Sequence, residues 1–277
     1  MIELESDRIS EALVLALETG DTKRFFDRVE RSSGLPGKRP NLPLLRAVAG
    51  RLSTAGESGD ALIDEMLGHK HPALYRIGYF ALAAKVTGKG GGGRSFERLH
   101  DAAEEPTHEH REGLIDALTD VAVHGGDKIA QRFSAFTDGF LHAHVALEVL
   151  SRSEVLSRLA RPEPILARFT EAFDLADASS RADDRSQGVR LLRAGMPAQI
   201  ARVAPRFGEI VGWVRERTTR ERPESRQIIA EAISGLRKIV GEAEATRLRD
   251  AHLLTKPKLY SDHRIIHTTR RRSRGKK

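Results

Sequence analysis

The sequence predicts an all-α fold of stacked antiparallel helical hairpins, and three observations support this prediction. Apolar residues recur at helical spacing along most of the 277-residue chain. Ala, Leu and Arg are abundant while aromatic residues make up only 5%, a composition that favours helices over strands. The sequence contains no segment with the alternating pattern of a half-buried strand beside hairpin turns.

Residues 1–57 are predicted to form an N-terminal helical cap. Ser6 is a candidate N-cap for a first helix, which ends at Gly20. Asp21 is placed to cap a second helix. Residues 33–40 contain two Pro and two Gly, which predicts a loop, and Asn41 is then a candidate N-cap for a third helix.

Residues 58–253 are predicted to form a repeat region, in which short helices alternate with turns marked by Gly or Pro. The Gly-rich run 88–94 predicts one such turn, a flexible surface loop. The predicted helices are Asp60–Gly68, Pro72–Val86, Ser95–Glu104, His108–Val123, Asp127–Phe136, Gly139–Leu150, Pro164–Leu175, Asp184–Ala194, Ala198–Arg217, Pro223–Val240 and Ala243–Leu253.

The second helices of successive hairpins recur at a regular distance. Their anchor positions are Leu82, Leu118, Leu150, Leu192 and Ile233, so the steps are 36, 32, 42 and 41 residues. Such spacing is typical of helical-hairpin repeats, in which each hairpin buries its apolar face only against its neighbours. A compact irregular helical bundle is the alternative.

Residues 61–82 resemble a HEAT repeat. They contain an apolar first helix, a short turn, Pro72 near the start of the second helix, Arg76 four residues later, and a closing Ala81-Leu82 pair. The resemblance extends in degenerate form over residues 58–240. It implies a HEAT-like α-solenoid whose groove binds a protein or peptide partner.

The positive charge lies at the end of the chain. The net charge is +7, but residues 1–250 contain 37 Lys and Arg against 38 Asp and Glu, whereas residues 251–277 contain nine against one. Residues 254–277 are therefore predicted to be a disordered basic tail that can contact DNA, RNA or another polyanion. Its candidate contacts are six of the last eight residues: Arg270, Arg271, Arg272, Arg274, Lys276 and Lys277.

A second candidate nucleic-acid surface lies in the Arg-rich segment 202–249. Residues 201–250 carry 11 basic against 8 acidic side chains. Side chains from neighbouring helices could form a ridge that contacts phosphates. The main candidates are Arg215, Arg217, Arg220 and Arg222, and Arg202, Arg206, Arg226, Arg237 and Lys238 would extend the ridge.

Histidines provide the candidates for a metal site. Imidazoles projected from successive hairpins could ligate a metal, but polar turn residues are the simpler interpretation. HEAT-like hydroxylases bind iron through several His-Glu dipeptides, and this chain has one such dipeptide among the pairs, His108-Glu109. We therefore predict no metal. The His-x-His pairs are His69/His71, His108/His110 and His142/His144.

The other enzyme classes find little support in the sequence. HEAT-like DNA glycosylases hold a cationic nucleotide with aromatic side chains and a carboxylate, but Tyr75, Tyr79 and Trp213 are better explained by packing. Ala83 stands where a phosphate-binding loop needs Gly, so no nucleotide cofactor is predicted. Without Cys there is no thiol nucleophile, and no nucleophile motif such as G-x-S-x-G occurs. Enzymatic activity remains open, with a non-catalytic role favoured.

Localisation and function follow from these observations. The first residues lack the basic and apolar regions of a signal peptide, and no apolar run approaches about 18 residues, so we expect a cytoplasmic protein without a membrane partner. Three hypotheses stay open. The first is a non-enzymatic binding scaffold with a polyanion-contacting tail, the second a nucleic-acid-binding protein, and the third a HEAT-like enzyme that is metal-dependent or glycosylase-like.

Overall fold

The structure is a computed structural model that describes the backbone of residues 2–37, 39–88, 92–105 and 107–257, with side chains from residue 7 onward. Within these ranges the chain forms α-helices, 3-10 turns and loops, and no β-strand, which confirms the all-α prediction. The six basic tail residues lie outside the described residues. The helices are α1 (Ile2–Thr19), α2 (Lys23–Ser32), α3 (Leu42–Ser53), α4 (Gly56–Leu67), α5 (Pro72–Thr87), α6 (Gly93–Asp101), α7 (His108–Arg132), α8 (Phe140–Leu150), α9 (Ser153–Leu156), α10 (Glu163–Ala178), α11 (Gln187–Val203), α12 (Glu209–Glu216), α13 (Pro223–Val240) and α14 (Glu242–Leu254).

Six helices form a central layer. In the order α3, α5, α7, α8, α11 and α13, each packs against the next. Other helices flank this layer: α4 and α6 pack on α5, α10 packs on α8, α14 packs on α13, and α1 packs on α2 and α4. Since each helix of the layer packs mainly on its immediate neighbours, the layer positions side chains from distant parts of the sequence beside one another.

Helix α5 lies inside the layer and shows how local sequence builds an element. The His71 side chain accepts a hydrogen bond from the backbone N–H of Ala73 at 3.2 Å, and Pro72 occupies the first turn, where its missing N–H costs nothing. Gly78 lets α5 approach α4, because a Cβ there would meet the Leu67 side chain at 2.7 Å. Twelve of the sixteen residues of α5 are buried, so neighbours surround it on nearly every side.

Local signals also fix where other helices begin and end. The Asn41 side chain accepts a hydrogen bond from the N–H of Leu44 at 3.3 Å, which confirms the predicted cap of α3. The predicted end of α1 at Gly20 is also confirmed, with φ of 75°. Helix α7 is interrupted at Gly126, where φ is 53°, so residues 108–125 and 127–132 point in different directions.

Several predicted boundaries differ from the structure, among them the start of α1 and the middle of α11. Ser6 lies inside α1 and does not cap it, because the helix begins at Ile2. The break predicted between Ala194 and Ala198 is absent, since α11 continues through Pro197 and ends at Val203. Pro197 is buried in a helix that packs on both α8 and α13, and this packing stabilises a helix that proline disfavours locally. The chain leaves the helix at residues 204–208 instead.

One continuous hydrophobic core runs from Ile9 to Leu248, so residues 1–57 share it with residues 58–253. Trp213 is buried within it, as the sequence predicts. Among the described residues, no helix is both long and apolar enough to span a membrane.

Candidate functional site

A row of charged side chains crosses the central layer, and we call it the charged strip. It contains four arginines and four carboxylates, so its net charge is zero. Its residues come from six helices of the chain and from Arg152, the N-cap residue of α9. They are Arg46 on α3, Arg76 on α5, Asp116 and Asp120 on α7, Glu148 on α8, Arg152, Glu154 on α9, and Arg202 on α11.

At one end of the strip, Arg46 forms a two-pronged ion pair with Asp120. Its Nε and Nη2 lie 2.7 and 2.9 Å from the two carboxylate oxygens. The guanidinium also lies 5.0 Å from the ring centre of Phe80 on α5, so the pair bridges α3 and α7 over α5. The hydrogen bond with Asp120 raises the pKa of Arg46, and the charges of Asp116 and Glu154 act in the same direction.

At the middle of the strip, Asp116 binds two arginines. Arg76 Nη1 lies 3.2 Å from one carboxylate oxygen, and Arg152 Nη1 lies 2.9 Å from the other. The side chains of Arg76 and Asp116 are only 10% and 16% exposed, in contrast to 43% and 37% for Arg46 and Asp120. The Arg76–Asp116 pair is therefore better shielded from water than the Arg46–Asp120 pair.

At the far end, Glu148 accepts hydrogen bonds from Gln199 Nε2 at 2.9 Å and from Arg202 Nη1 at 2.5 Å. Burial raises the pKa of Glu148, but these two hydrogen bonds lower it, and the net shift is downward. Glu148 is therefore an anion at neutral pH. One turn away on α8, burial lowers the pKa of His144, so its imidazole is neutral under the same conditions.

Two clefts open beside the strip. The larger has a volume of about 480 Å³ and is lined by Glu148, Arg152, Glu154 and Arg202 together with Ser151, Ser153 and Leu156. The smaller, of about 260 Å³, is lined by Arg46 and Asp120 with apolar and small side chains of α5. Each cleft presents charges of both signs beside apolar surface. This combination suits a polypeptide segment better than a uniformly anionic polymer.

Three polar atoms near the strip are buried and make no hydrogen bond within the described part of the chain. They are Arg76 Nε, His144 Nδ1 and Gln199 Oε1. A buried polar atom without a partner costs free energy, and such atoms concentrate where a protein meets ligands or water. All three belong to residues that touch or neighbour the strip.

The arginines of the predicted 202–249 ridge are bound within the protein. Arg217 is buried, with its guanidinium 4.0 Å from the Trp213 ring centre, and burial lowers its pKa. Arg222 donates to the backbone oxygens of Asp177 and Ser179. The other ridge arginines also have partners inside the protein: Arg215 pairs with Glu244, Arg220 with Asp174 and Asp177, Arg237 with Glu242 and Arg202 with Glu148, while Arg206 and Arg226 donate to the carbonyls of Leu159 and His252.

The structure does not bring the three His-x-His pairs together. His71 caps α5, and His108 is exposed at the start of α7. His110 stacks on Tyr75 with 3.7 Å between ring centres, and its Nδ1 lies 3.1 Å from the Tyr79 hydroxyl. Both tyrosines are buried and share a face, so they belong to the packing, as the sequence predicts.

Sequence reasoning missed the charged strip because none of its residues has a distinctive neighbourhood along the chain. Arg46 and Asp120 are 74 positions apart, and Arg76 and Asp116 are 40 apart. The one usable signal was Arg76, which occupies a defined position in the segment that resembles a HEAT repeat. A charged residue at the matching position of the later hairpins could have been sought. No protein-family model matches the chain, and no curated protein matches it.

Proposed function

We propose that this protein is a binding scaffold whose charged strip binds an extended segment of a partner protein. The observation that carries the proposal is the strip itself, with four arginines and four carboxylates in line across the central layer. A partner segment with charges of both signs can exchange ion pairs with the strip while its apolar side chains enter the two clefts. Arg46 and Arg202 remain 43% and 47% exposed, so both ends of the strip are accessible.

The HEAT-like solenoid is part of this proposal. The order of packing in the central layer, in which each helix packs on the next and other helices flank them, is what stacked hairpin repeats produce. The repeat steps of 36, 32, 42 and 41 residues support the same architecture. A cytoplasmic location also belongs to the proposal.

The test begins with a display library of random peptides, selected on the full-length protein, and with fluorescence anisotropy of the enriched peptides. Arg202→Glu should weaken their binding about ten-fold or more, because it places two carboxylates side by side. The double variant Glu148→Arg with Arg202→Glu exchanges the two charges and so restores an ion pair of opposite direction. It distinguishes a loss of binding caused by the changed charge pattern from a loss caused by lower stability. Arg247→Glu, an exposed change on α14 away from the strip, is the matched control.

Enrichment of peptides whose affinity falls with Arg202→Glu but not with Arg247→Glu would support the scaffold. Two results would count against it. One is that no peptide is enriched over repeated rounds, and the other is that every enriched peptide binds all variants equally.

Nucleic-acid binding through the basic tail is the second candidate function. Six basic residues among the last eight favour it, because such a run neutralises phosphates and releases counterions. The test is anisotropy of labelled DNA and RNA with the full chain and with residues 1–257 at several salt concentrations. Binding that depends steeply on salt and disappears in the 1–257 variant supports a tail function. Equal binding by both proteins would show that the nucleic acid contacts residues 1–257 and not the tail. No binding by either protein would reject this function.

A further inference from the structure

Three potential metal ligands meet on the side of the molecule formed by α6 and the start of α8. His100 comes from the last turn of α6, Asp138 from the turn before α8, and His142 from the first turn of α8. Each offers one ligand atom, and these atoms all lie within 4.8 Å of one another. In the part of the chain that the structure describes, no other group of three or more His, Asp or Glu meets this condition.

We propose that His100, Asp138 and His142 bind one divalent transition-metal ion with zinc-like preferences. Two imidazoles and one carboxylate form a donor set that such ions prefer, and three protein ligands leave a fourth position for water. Along the sequence, His142 pairs with His144, and the sequence predicts no metal. Folding instead places His142 beside a histidine that lies 42 positions earlier in the chain.

The separations between ligand atoms fit a small tetrahedral site. His100 Nε2 and His142 Nδ1 lie 3.2 and 3.7 Å from the same carboxylate oxygen, Asp138 Oδ1. An ion about 2.0–2.1 Å from each ligand atom in a tetrahedron separates those atoms by about 3.3 Å. Both separations lie within a few tenths of an ångström of this value.

The surroundings of the two histidines suit them as ligands. His100 Nδ1 lies 3.2 Å from the Asp101 carboxylate, which fixes the tautomer that leaves Nε2 free to ligate. His142 is buried, and its Nε2 has no hydrogen-bond partner within the described residues. The buried Phe136 ring packs nearly perpendicular to both imidazoles, with ring centres 5.1 Å from His100 and 6.1 Å from His142. This apolar packing holds His142 in place.

Binding requires one local rearrangement. The His100 and His142 rings are stacked with 4.2 Å between centres and 21° between planes, whereas a metal lies in the plane of each imidazole that binds it. His142 is the more deeply buried ring, so the His100 ring is the one that must turn about its χ2 angle. Asp138 has a side chain that is 58% exposed and provides the entry path for the ion.

The experiment is a Co²⁺ titration of the full-length, tag-free protein after treatment with a chelator, followed by competition with Zn²⁺. Co²⁺ in a tetrahedral site gives visible absorption bands that report its coordination. We expect one equivalent to bind with these bands and Zn²⁺ to displace it. Asp138→Asn and His100→Gln should each weaken Co²⁺ binding by about ten-fold or more. His108→Gln, which alters a histidine that is 77% exposed, should leave it unchanged.

The variants also separate a metal site from a hydrogen-bonded cluster without metal. Asp138 is exposed, so Asp138→Asn should fold, which circular dichroism checks. In the imidazole NMR spectrum of the wild-type protein, Zn²⁺ should shift the His100 and His142 signals and leave the His108 signal in place. The proposal is overturned if no stoichiometric Co²⁺ binding occurs, or if folded Asp138→Asn binds Co²⁺ as tightly as the wild type.

Discussion

Replacing Asp116 by Asn tests whether the middle of the charged strip behaves as a buried ion-pair network. The substitution keeps the shape of the side chain but removes the charge that faces Arg76 and Arg152 at 3.2 and 2.9 Å. Two guanidinium groups would then face each other across a neutral amide. Arg76 would remain buried without a carboxylate partner, which is the costly part of breaking a buried ion pair.

The magnitude follows from the exposure of these side chains. Removing one partner of a fully buried pair costs about 3–5 kcal/mol. Because the Asp116 side chain is 16% exposed and Arg152 reaches partly into solvent, we expect about 2–3 kcal/mol. Asp120→Asn removes the same charge from an exposed pair in the same strip, and exposed pairs contribute about 0–1 kcal/mol. Asp120→Asn is therefore the matched control.

The assay is urea unfolding followed both by far-UV circular dichroism and by the fluorescence of Trp213, which is the single Trp in the chain. With a slope of about 3 kcal/mol per molar urea, Asp116→Asn should lower the urea midpoint by about 0.7–1 M and Asp120→Asn by less than about 0.3 M. Equal effects of the two substitutions would refute the reasoning. They would show that burial does not determine how much each ion pair of the strip contributes to the free energy of unfolding.

Three further predictions follow from particular contacts. Phe136→Ala removes a fully buried ring and should cost about 3–5 kcal/mol in urea unfolding; a loss below about 1 kcal/mol would contradict the packing described. In metal-free protein, NMR titration should show that His100 has a pKa above 6.5. Burial lowers the pKa of His100, but its hydrogen bonds to two carboxylates raise this pKa by more. The same titration should show that His142 has a pKa below 6.5, because the ring is buried. The stability that His100 contributes is therefore complete below pH 6.5 and is lost as the pH rises through the folded pKa of His100. The stability that His142 contributes is lost as the pH falls through the folded pKa of His142. A pKa of His142 above that of His100 would contradict both assignments. Arg217→Ala should cost about 2 kcal/mol and shift the fluorescence of Trp213 while leaving DNA affinity unchanged, and a selective loss of DNA binding would instead support a phosphate contact.

The helices were largely predictable from the sequence, since their signals are local. The prediction for Pro223–Val240 agrees with α13 at both ends, and that for Pro72–Val86 differs from α5 by one residue. In both, a proline in the first turn marks the start, and apolar residues repeat at helical spacing afterwards. The prediction failed at Pro197, where the local preference of proline opposed the packing of α11 on two neighbouring helices.

The candidate sites were less predictable, because their partners are distant in the sequence. Asp138 and His142 are one helical turn apart and could have been paired by inspection, but His100 lies 38 positions before Asp138. The basic composition of residues 202–249 correctly indicated many arginines. It could not show that Arg222 donates to a carbonyl of Ser179, 43 positions earlier.

By itself, the sequence determined that the described chain folds into helices, where most of them begin and end, and where the net positive charge lies. These properties depend on residues within a few turns of one another and on composition. Tertiary structure alone decided which charges neutralise each other and which side chains form a possible site. Ion pairs and metal ligands depend on separations of about 3–4 Å, and only the packing of helices far apart in the chain sets such distances.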